Sequence, residues 1–343
     1  MKHNWEYKQW NEVLKIFNGK NQKAVENPNG PYPIYGSGGI MSYADNYICP
    51  ENCTIIGRKG NINNPIFVPT KFWNVDTAFG LCPNDFLQPR YLYYFCQIYD
   101  FEKHNKATTI PSLVKNDLLK ISMPVPPMET QEQIVAELDQ INDLIAKNRK
   151  LLSQLNALAQ SLFYDTFGDP IYNPKGWESN KLGSLLIIER GGSPRPIKDY
   201  ITQDEDGINW IKIGDADSSM YISSTKEKIK PSGKSKSRFV KPGDFILSNS
   251  MSFGRPYIMN TYGCIHDGWL LLRDENNVFN KVFLYYCLNS KSLYSEFERL
   301  VRTGTVSNLN SDIVRGVRVP VPPLALQEDF AAEAVPAFCR PEE

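Results

Sequence analysis

An internal repeat is the feature of this sequence that most constrains its fold. Trp5-Glu6 near the start of the chain returns as Trp177-Glu178, at an offset of 172 positions. The phrase Pro-x-Pro-Pro-x-x-x-Gln-Glu at residues 124–132 returns at residues 320–328, at an offset of 196. The matched positions between them, in the same order, are Trp10 with Leu182, Gly19 with Gly191, Ile55 with Ile246, Pro65 with Pro256, Asp76 with Asp267, and Leu92 with Leu284. An ordered series with a rising offset indicates one unit used twice, with insertions in the second copy.

Each copy has the sequence pattern of short strands separated by turns. Apolar stretches such as residues 53–57 and 244–247 alternate with Gly, Pro and Asn clusters. Helical patterns at residues 89–100 and 282–301 come late in each copy. The sequence therefore predicts an α+β fold with two similar mixed α/β domains.

Between the copies, residues 130–166 contain no Gly or Pro and predict one long helix of about 54 Å. Thr130 and Gln133 fit a capping box at its start. Apolar residues alternate at spacings of four and three, which is the seam of a coiled coil. The seam consists of Ile134, Leu138, Ile141, Ile145, Asn148, Leu152, Leu155, Ala159 and Leu162. Asn148 is either a buried amide that selects register or a residue at a solvated end of the seam.

The repeat predicts a second helix after Pro323, but Pro336 interrupts it. We therefore expect four segments: a first domain at 1–128, a coiled-coil spacer helix at 129–167, a second domain at 168–323, and a truncated spacer at 324–343. A seam needs a partner helix. A second copy of the chain is one candidate, through the unpaired central helix.

Composition narrows the class of protein. The 38 Lys and Arg balance the 38 Asp and Glu, so any affinity for nucleic acid must come from local basic patches. No apolar run is long enough to span a membrane, and the first residues lack a signal-peptide core, so we expect a cytoplasmic protein with no membrane partner. The seven cysteines lack framework spacing and are expected to be reduced. Cys49 and Cys53 resemble half a zinc site, but no second half follows, so no metal is expected.

The order and spacing of these features resemble the specificity subunits of type I restriction–modification systems. The resemblance rests on residues 124–132, the heptad stretch, residues 163–170 and residues 173–177. It implies two target recognition domains, each of which reads one half of a bipartite, asymmetric double-stranded DNA target. It also implies that helical spacers set the distance between the halves and dock modification (methyltransferase) subunits. Cleavage would belong to a separate restriction (motor–nuclease) subunit, and this chain would carry no cofactor and no catalytic residue.

Candidate DNA contacts are basic or amide side chains in segments with turn-forming residues. Residues 226–241 are rich in Lys and indicate a mobile loop that orders on phosphate, or one that is simply solvated. Residues 58–61 indicate a base-reading loop, because Arg suits guanine and Asn suits adenine, or else a tight turn. Arg255 occupies a neighbouring place in the second copy. The candidates are Arg58, Lys59, Asn61, Lys103, Lys106, Arg195, Lys234, Lys236, Arg238, Arg255 and Arg302.

Two other classes of function are considered. One is a structural or protein-binding protein with two adhesive domains on a coiled coil. The other is a DNA methyltransferase or nuclease that acts alone. Residues 64–67 differ from the Asn-Pro-Pro-Phe motif of amino-methyltransferases by an Ile at the second Pro, and neither Asp244 nor Asp267 has the Asp/Glu-x-Lys partner of a nuclease.

Overall fold

The structure is a computed structural model that describes residues 5–107, 109–217, 219–249, 253–303 and 308–334. The chain divides into two compact units, Met1–Arg149 and Lys150–Glu343. No helix in the described part of the chain combines the length and apolar character needed to cross a bilayer.

The first unit has nine strands and three short helices among its described residues. The strands are β1 (Glu6–Gln9), β2 (Leu14–Asn18), β3 (Tyr32–Gly36), β4 (Gly39–Ala44), β5 (Cys53–Gly57), β6 (Ile66–Val68), β7 (Trp73–Asn74), β8 (Ala78–Pro83) and β9 (Ser122–Val125). The helices are α1 (Trp10–Val13), α2 (Pro89–Ile98) and α3 (Lys115–Leu118), with a 3-10 turn at Phe101–His104. The 40-residue helix α4 (Met128–Phe167) starts in this unit and ends in the second.

Three sheets organise the first unit. Strands β2, β8, β5 and β6 form an antiparallel sheet in that order. Strand β3 pairs antiparallel with β4 and parallel with β7, and β1 pairs antiparallel with β9. The main core lies between the four-stranded sheet and α2, where Trp10, Phe79 and Leu92 are fully or almost fully buried.

The second unit has twelve strands among its described residues. They are β10 (Ser179–Lys181), β11 (Ile187–Arg190), β12 (Ile201–Thr202), β13 (Ile208–Ile211), β14 (Tyr221–Ile222), β15 (Glu227–Ile229), β16 (Arg238–Val240), β17 (Phe245–Ser248), β18 (Pro256–Met259), β19 (Gly263–Ile265), β20 (Trp269–Arg273) and β21 (Arg318–Pro320). The helices are α5 (Leu182–Leu185), α6 (Lys281–Leu288), α7 (Lys291–Thr303), α8 (Ser311–Gly316) and α9 (Leu324–Ala334), with 3-10 turns at Ile197–Asp199, Ile213–Asp215 and Pro231–Lys236.

The second unit repeats the strand order of the first. Strands β11, β20, β17 and β18 match β2, β8, β5 and β6, with β14 added at the edge. Strand β13 pairs antiparallel with β15 and parallel with β19, as β3 does with β4 and β7. Strand β10 pairs with β21, as β1 does with β9. The prediction of two similar α+β domains is confirmed. Where one helix was predicted at residues 282–301, the helix ends at Leu288 and a new one begins at Lys291.

The repeated Pro-x-Pro-Pro-x-x-x-Gln-Glu phrase has the same hydrogen bonds in both units. Gln131 and Gln327 are buried, and the side-chain amide of each donates to the carbonyl of the proline five positions earlier. The side-chain oxygen of each accepts from the backbone N–H that precedes α2 or α6. The distances are 2.9 Å to Pro126, 2.8 Å to Pro322, 2.8 Å from Gln88 and 2.8 Å from Asn280. The glutamine therefore joins the spacer helix to its domain.

Replacing Gln327 with Leu is expected to destabilise the second unit by about 1–3 kcal/mol, because buried polar backbone groups lose their partner. The measurement is urea unfolding of the full chain, in which the two units need not unfold together. The control is Glu333→Leu, an exposed position on the same helix, with an expected change within about 0.5 kcal/mol. Equal unfolding midpoints for the two variants would contradict the role given to Gln327.

The central helix is continuous, as predicted. It begins at Met128, directly after Pro127, rather than at the capping box of Thr130, because the prolines end β9 and leave the next residue free to start the helix. Ile134 and Leu138 pack on the core of the first unit, and Leu162 packs on that of the second. In the middle, Ile141, Ile145 and Leu152 are 52%, 41% and 54% exposed, and Leu155 is half-buried. Asn148 is exposed as well, like the apolar seam residues on both sides of it, so its exposure does not separate the two alternatives.

A helix does follow Pro323, as the repeat predicts. Phe330 of α9 packs against Phe163 and Phe167 of α4, with ring centroids 5.8 and 5.4 Å apart. The start of the second spacer is therefore a part of the second unit's core. Pro336 and the residues after it lie outside the described residues, so the expected truncation remains an expectation.

The expectation that all seven cysteines are reduced is wrong for one pair. Cys53 and Cys82 form a disulfide. They lie opposite each other on the adjacent antiparallel strands β5 and β8, with their Cα atoms 4.6 Å apart, so the sheet register brings the two sulfurs together. The free cysteines among the described residues are Cys49, Cys96, Cys264 and Cys287, all buried. Cys339 lies outside the described residues.

Candidate nucleic-acid interface

The repeated aspartates occupy equivalent turns in the two units. Asp76 lies between β7 and β8, and Asp267 lies between β19 and β20. A repeated glycine faces the backbone just before each of them. A Cβ on Gly19 would lie 1.8 Å from the carbonyl oxygen of Val75, and a Cβ on Gly191 would lie 2.2 Å from that of His266. The close approach explains why both copies have glycine there.

In the first unit, Arg58 follows β5 and reaches the aspartate turn. Its Nη1 donates to the Asp76 carbonyl oxygen at 3.3 Å, and its guanidinium lies 5.8 Å from the Phe79 ring centroid. The loop after β5 is held by backbone hydrogen bonds from Gly60 to Pro111 and from Leu113 to Arg58. The candidate Arg58 is therefore fixed on a braced loop rather than on a free one.

The four other first-unit candidates lie on this loop or on segments joined to it. Lys59 and Lys106 line one surface depression. Lys106 forms an ion pair with Asp117 at 2.5 Å, and this hydrogen bond holds the pKa of the Asp117 carboxyl below its usual range. Asn61 and Lys103 are exposed, and Lys103 lies on the 3-10 turn whose Phe101 N–H donates to Asn63 at 2.8 Å. The fold thus brings Lys59 and Lys106 to one depression, whereas Asn61 and Lys103 are not part of its lining.

In the second unit, polar groups from four segments converge on Asp267. Its carboxylate accepts a hydrogen bond from Ser193 Oγ at 2.9 Å and lies 2.9 Å from His266 Nε2 and 3.5 Å from Arg195 Nη2. Its carbonyl oxygen accepts from Asn249 Nδ2 at 2.8 Å and from Arg190 Nε at 3.3 Å. The pKa of Asp267 lies below its usual range. Partial burial alone would raise this pKa, but the hydrogen bond from Ser193 and nearby positive charge lower it by more.

Sequence reasoning found Arg195 but missed its surroundings. His266, Asn249 and Arg190 were not among the candidates. The signal that could have found them was the repeated Asp267, because residues beside a repeated framework position differ between copies when each copy has its own specificity.

The basic segment of the second unit is ordered, which corrects the mobile-loop alternative. Residues 227–229 and 238–240 are strands β15 and β16, which pair with β13 and β19. Lys234 Nζ lies 4.0 Å from the Phe239 ring centroid, and Lys236 Nζ bonds the Tyr200 hydroxyl at 2.5 Å. Arg238 forms an ion pair with Glu189 at 3.2 Å. Aromatic and acidic neighbours thus hold the three candidates.

The last two candidates lie elsewhere in the second unit. Arg255 has its guanidinium 5.1 Å from the Tyr257 ring and lines a recess beside Gln160 of α4. The counterpart of Arg58 is Asn249, since Asn249 follows β17 as Arg58 follows β5. Arg255 precedes β18, at the far end of that loop, and is not equivalent to Arg58. Arg302 lies in the last turn of α7, 3.7 Å from Glu298.

The groups weighed for catalysis have structural partners. Asp244 is buried and forms an ion pair with Arg273 at 2.6 Å. Ile66 and Phe67, in the stretch that resembles a methyltransferase motif, are part of strand β6 and pair with β5. Among the residues that the structure describes, no group of three or more His, Cys, Asp or Glu side chains is placed to hold a metal ion.

Comparison with known proteins identifies the class. The family described as "Type I restriction modification DNA specificity domain" matches residues 2–157 and again 174–332. A putative type I restriction enzyme specificity subunit of Haemophilus influenzae is 26% identical over 341 residues, covering 94% of this chain and 84% of that protein. The MjaVIII specificity subunit of Methanocaldococcus jannaschii is 23% identical over 368 residues, covering 95% and 84%.

A solved structure shares the fold. The crystal structure of the type I restriction–modification S subunit from M. genitalium aligns with a TM-score of 0.54 at 16% identity, over 96% of this chain and 88% of that one. With two family matches across most of the sequence, the chain belongs to the type I restriction–modification DNA specificity family. It is a specificity subunit, which recognises DNA and is not itself the catalyst.

Proposed function

We propose that this chain directs a type I restriction–modification complex to a bipartite, asymmetric target in double-stranded DNA. Residues 1–128 and 168–323 act as target recognition domains, and each reads one half-site. Residues 129–167 act as the spacer that sets the gap, and residues 324–343 begin the second spacer. Modification and restriction subunits dock on the complex and supply methylation and cleavage, in the cytoplasm.

One observation carries the proposal: the same strand order occurs twice, with different charged residues around equivalent aspartates. The first unit sets Arg58 against Asp76, whereas the second sets Arg195 and His266 against Asp267. Two domains of one fold with unlike polar surfaces suit two unlike short sequences. This supports an asymmetric target.

The proposal predicts salt-dependent binding of the full chain to duplex DNA. The logarithm of affinity should fall linearly with the logarithm of salt concentration, because neutralised phosphates release counterions. Replacing both Lys59 and Lys106 with Gln should reduce the slope by about 1–2, whereas Lys147→Gln on the exposed middle of α4 should not. Fluorescence anisotropy measures this. Binding that is absent or flat with salt would favour the protein-binding alternative.

We propose also that the exposed middle of α4 associates with a second copy of the chain. The exposed middle of the seam, residues 141–152, is symmetric in order. Ile141 and Leu152 lie at equal distances from the point between residues 146 and 147, as do Ile145 and Asn148. An antiparallel pair of helices would therefore set Ile141 against Leu152 of the other copy and Ile145 against Asn148. It would also set Asp143 opposite Lys150. Residues 141–152 are all exposed, so a second copy of the chain can contact them.

Sedimentation equilibrium tests the association. The wild-type chain should be a dimer, and Ile141→Asp should shift it towards monomer because the charge enters an apolar layer. Gln154→Asp, exposed and off the seam, is the control and should remain dimeric. A monomeric wild-type chain at the highest attainable concentration would refute self-association and leave the seam to other subunits.

A further inference from the structure

Arg195 is an exposed basic side chain of the second unit that has a carboxylate partner. Its side chain is 82% exposed, yet its guanidinium lies 3.5 Å from the Asp267 carboxylate. Prolines on both sides, Pro194 and Pro196, restrict the backbone that carries it. A long side chain with a fixed base and a fixed partner loses little conformational freedom on binding.

The partner of Arg195 is itself held in place. Asp267 receives the Ser193 hydroxyl at 2.9 Å and faces His266 Nε2 at 2.9 Å. The other ring nitrogen of His266 accepts from the Gly268 N–H at 2.9 Å, which leaves the hydrogen on Nε2 and directed at the carboxylate. Asp267 is only 29% exposed, so it is a support below the surface rather than a contact on it.

We propose that Arg195, positioned by Asp267, reads a guanine in the major groove of the second half-site. This rests on the proposed DNA recognition and names a residue for it. Arg presents a planar fork that pairs with O6 and N7 of guanine, the commonest specific contact in protein–DNA complexes. The carboxylate engages one part of the guanidinium and leaves other N–H groups free to point outward.

The carboxylate also argues against a phosphate contact. A phosphate beside Arg195 would be repelled by Asp267, whereas the edge of guanine carries no net charge. The recess beside Arg195 has a mixed lining. Its apolar part includes Pro194, Ile197, Ile201 and Trp210, and its polar part includes the Lys212–Glu227 ion pair. The apolar part limits the access of water to one side of a contact made by Arg195.

The first unit has a different arrangement at the same place. Val75 occupies the position of His266, and Arg58 approaches the Asp76 carbonyl from the segment after β5. In the second unit that segment supplies Asn249, and the arginine comes from the segment after β11. The equivalent aspartates Asp76 and Asp267 therefore support arginines that come from different segments. The two guanidinium groups would then reach different positions on a duplex.

Selection from a randomised duplex library tests the proposal with the full chain and its modification subunits. The wild type should enrich a bipartite motif with a guanine in the second half-site. Arg195→Ala, and Arg195→Lys with its charge retained, should each reduce the preference for that guanine on the order of 10- to 100-fold and leave the first half-site unchanged. Asp267→Asn should weaken the same preference, and Asp267→Glu should restore part of it.

The control is Lys198→Ala, an exposed cation three residues away that should leave the motif unaltered. Thermal unfolding of each variant checks folding, and Arg195→Lys keeps the test valid should the Ala variant be unstable. An Arg195→Lys motif identical to that of the wild type would overturn the proposal. So would a uniform loss of affinity for all sequences, which would make Arg195 a phosphate contact. No enriched motif for the wild type would instead refute the proposed function.

Discussion

Duplicating residues 141–147 inside α4 is expected to abolish methylation at sites with the original gap and to move it to sites with a gap about three base pairs longer. One heptad adds about 10.5 Å to a helix, and base pairs in DNA are stacked about 3.4 Å apart. The duplication preserves the seam, because seven residues keep the alternating spacing of four and three. The inserted residues lie where the helix is exposed, so neither core is disturbed.

Methylome sequencing of cells that carry the variant with its modification subunits measures the gap. The matched control replaces residues 141–147 with another heptad of equal length and seam pattern, and should leave the gap as it was. Complete loss of activity would be compatible with a spacer that also docks subunits. An unchanged gap at full activity would refute the ruler role of α4.

The parts of the fold that the sequence predicted best are those fixed by periodicity and by repetition. The long helix follows from the absence of Gly and Pro and from the seam of residues such as Ile134 and Leu138. The two-domain α+β architecture follows from repeated residues whose role is structural. Gly19 and Gly191 allow close backbone contact, and Gln131 and Gln327 fasten the spacers.

The parts that the sequence did not predict depend on pairing between distant strands. The disulfide arises because the β5–β8 register sets Cys53 opposite Cys82, and a spacing in sequence carries no information about that register. The order in residues 227–240 comes from pairing with β13 and β19, which overrides a composition typical of loops.

The candidate site was predicted in part for the same reason. Basic residues in turn-rich segments can be found by composition, and Arg58 and Arg195 were found in this way. Their supports, Asp76 and Asp267, were visible only as repeated positions. The link between Arg195, Asp267 and His266 needs the approach of the segment after β11 to the turn after β19, which only coordinates reveal.

Exchanging residues 177–319 for the matching segment of another family member is expected to change one half-site completely and to leave the other half-site and the gap intact. The second unit has its own core and its own sheets, so the exchanged segment carries its recognition surface with it. The control is the reciprocal exchange in the first unit, which should alter only the first half-site.

Methylome sequencing of the residue 177–319 exchange tests most directly whether two unlike modules on one helix read two unlike stretches of DNA. We expect a hybrid motif: the original first half-site, the original gap, and the second half-site of the donor. A motif that remains wholly that of the parent, or that changes in both halves at once, would contradict the account.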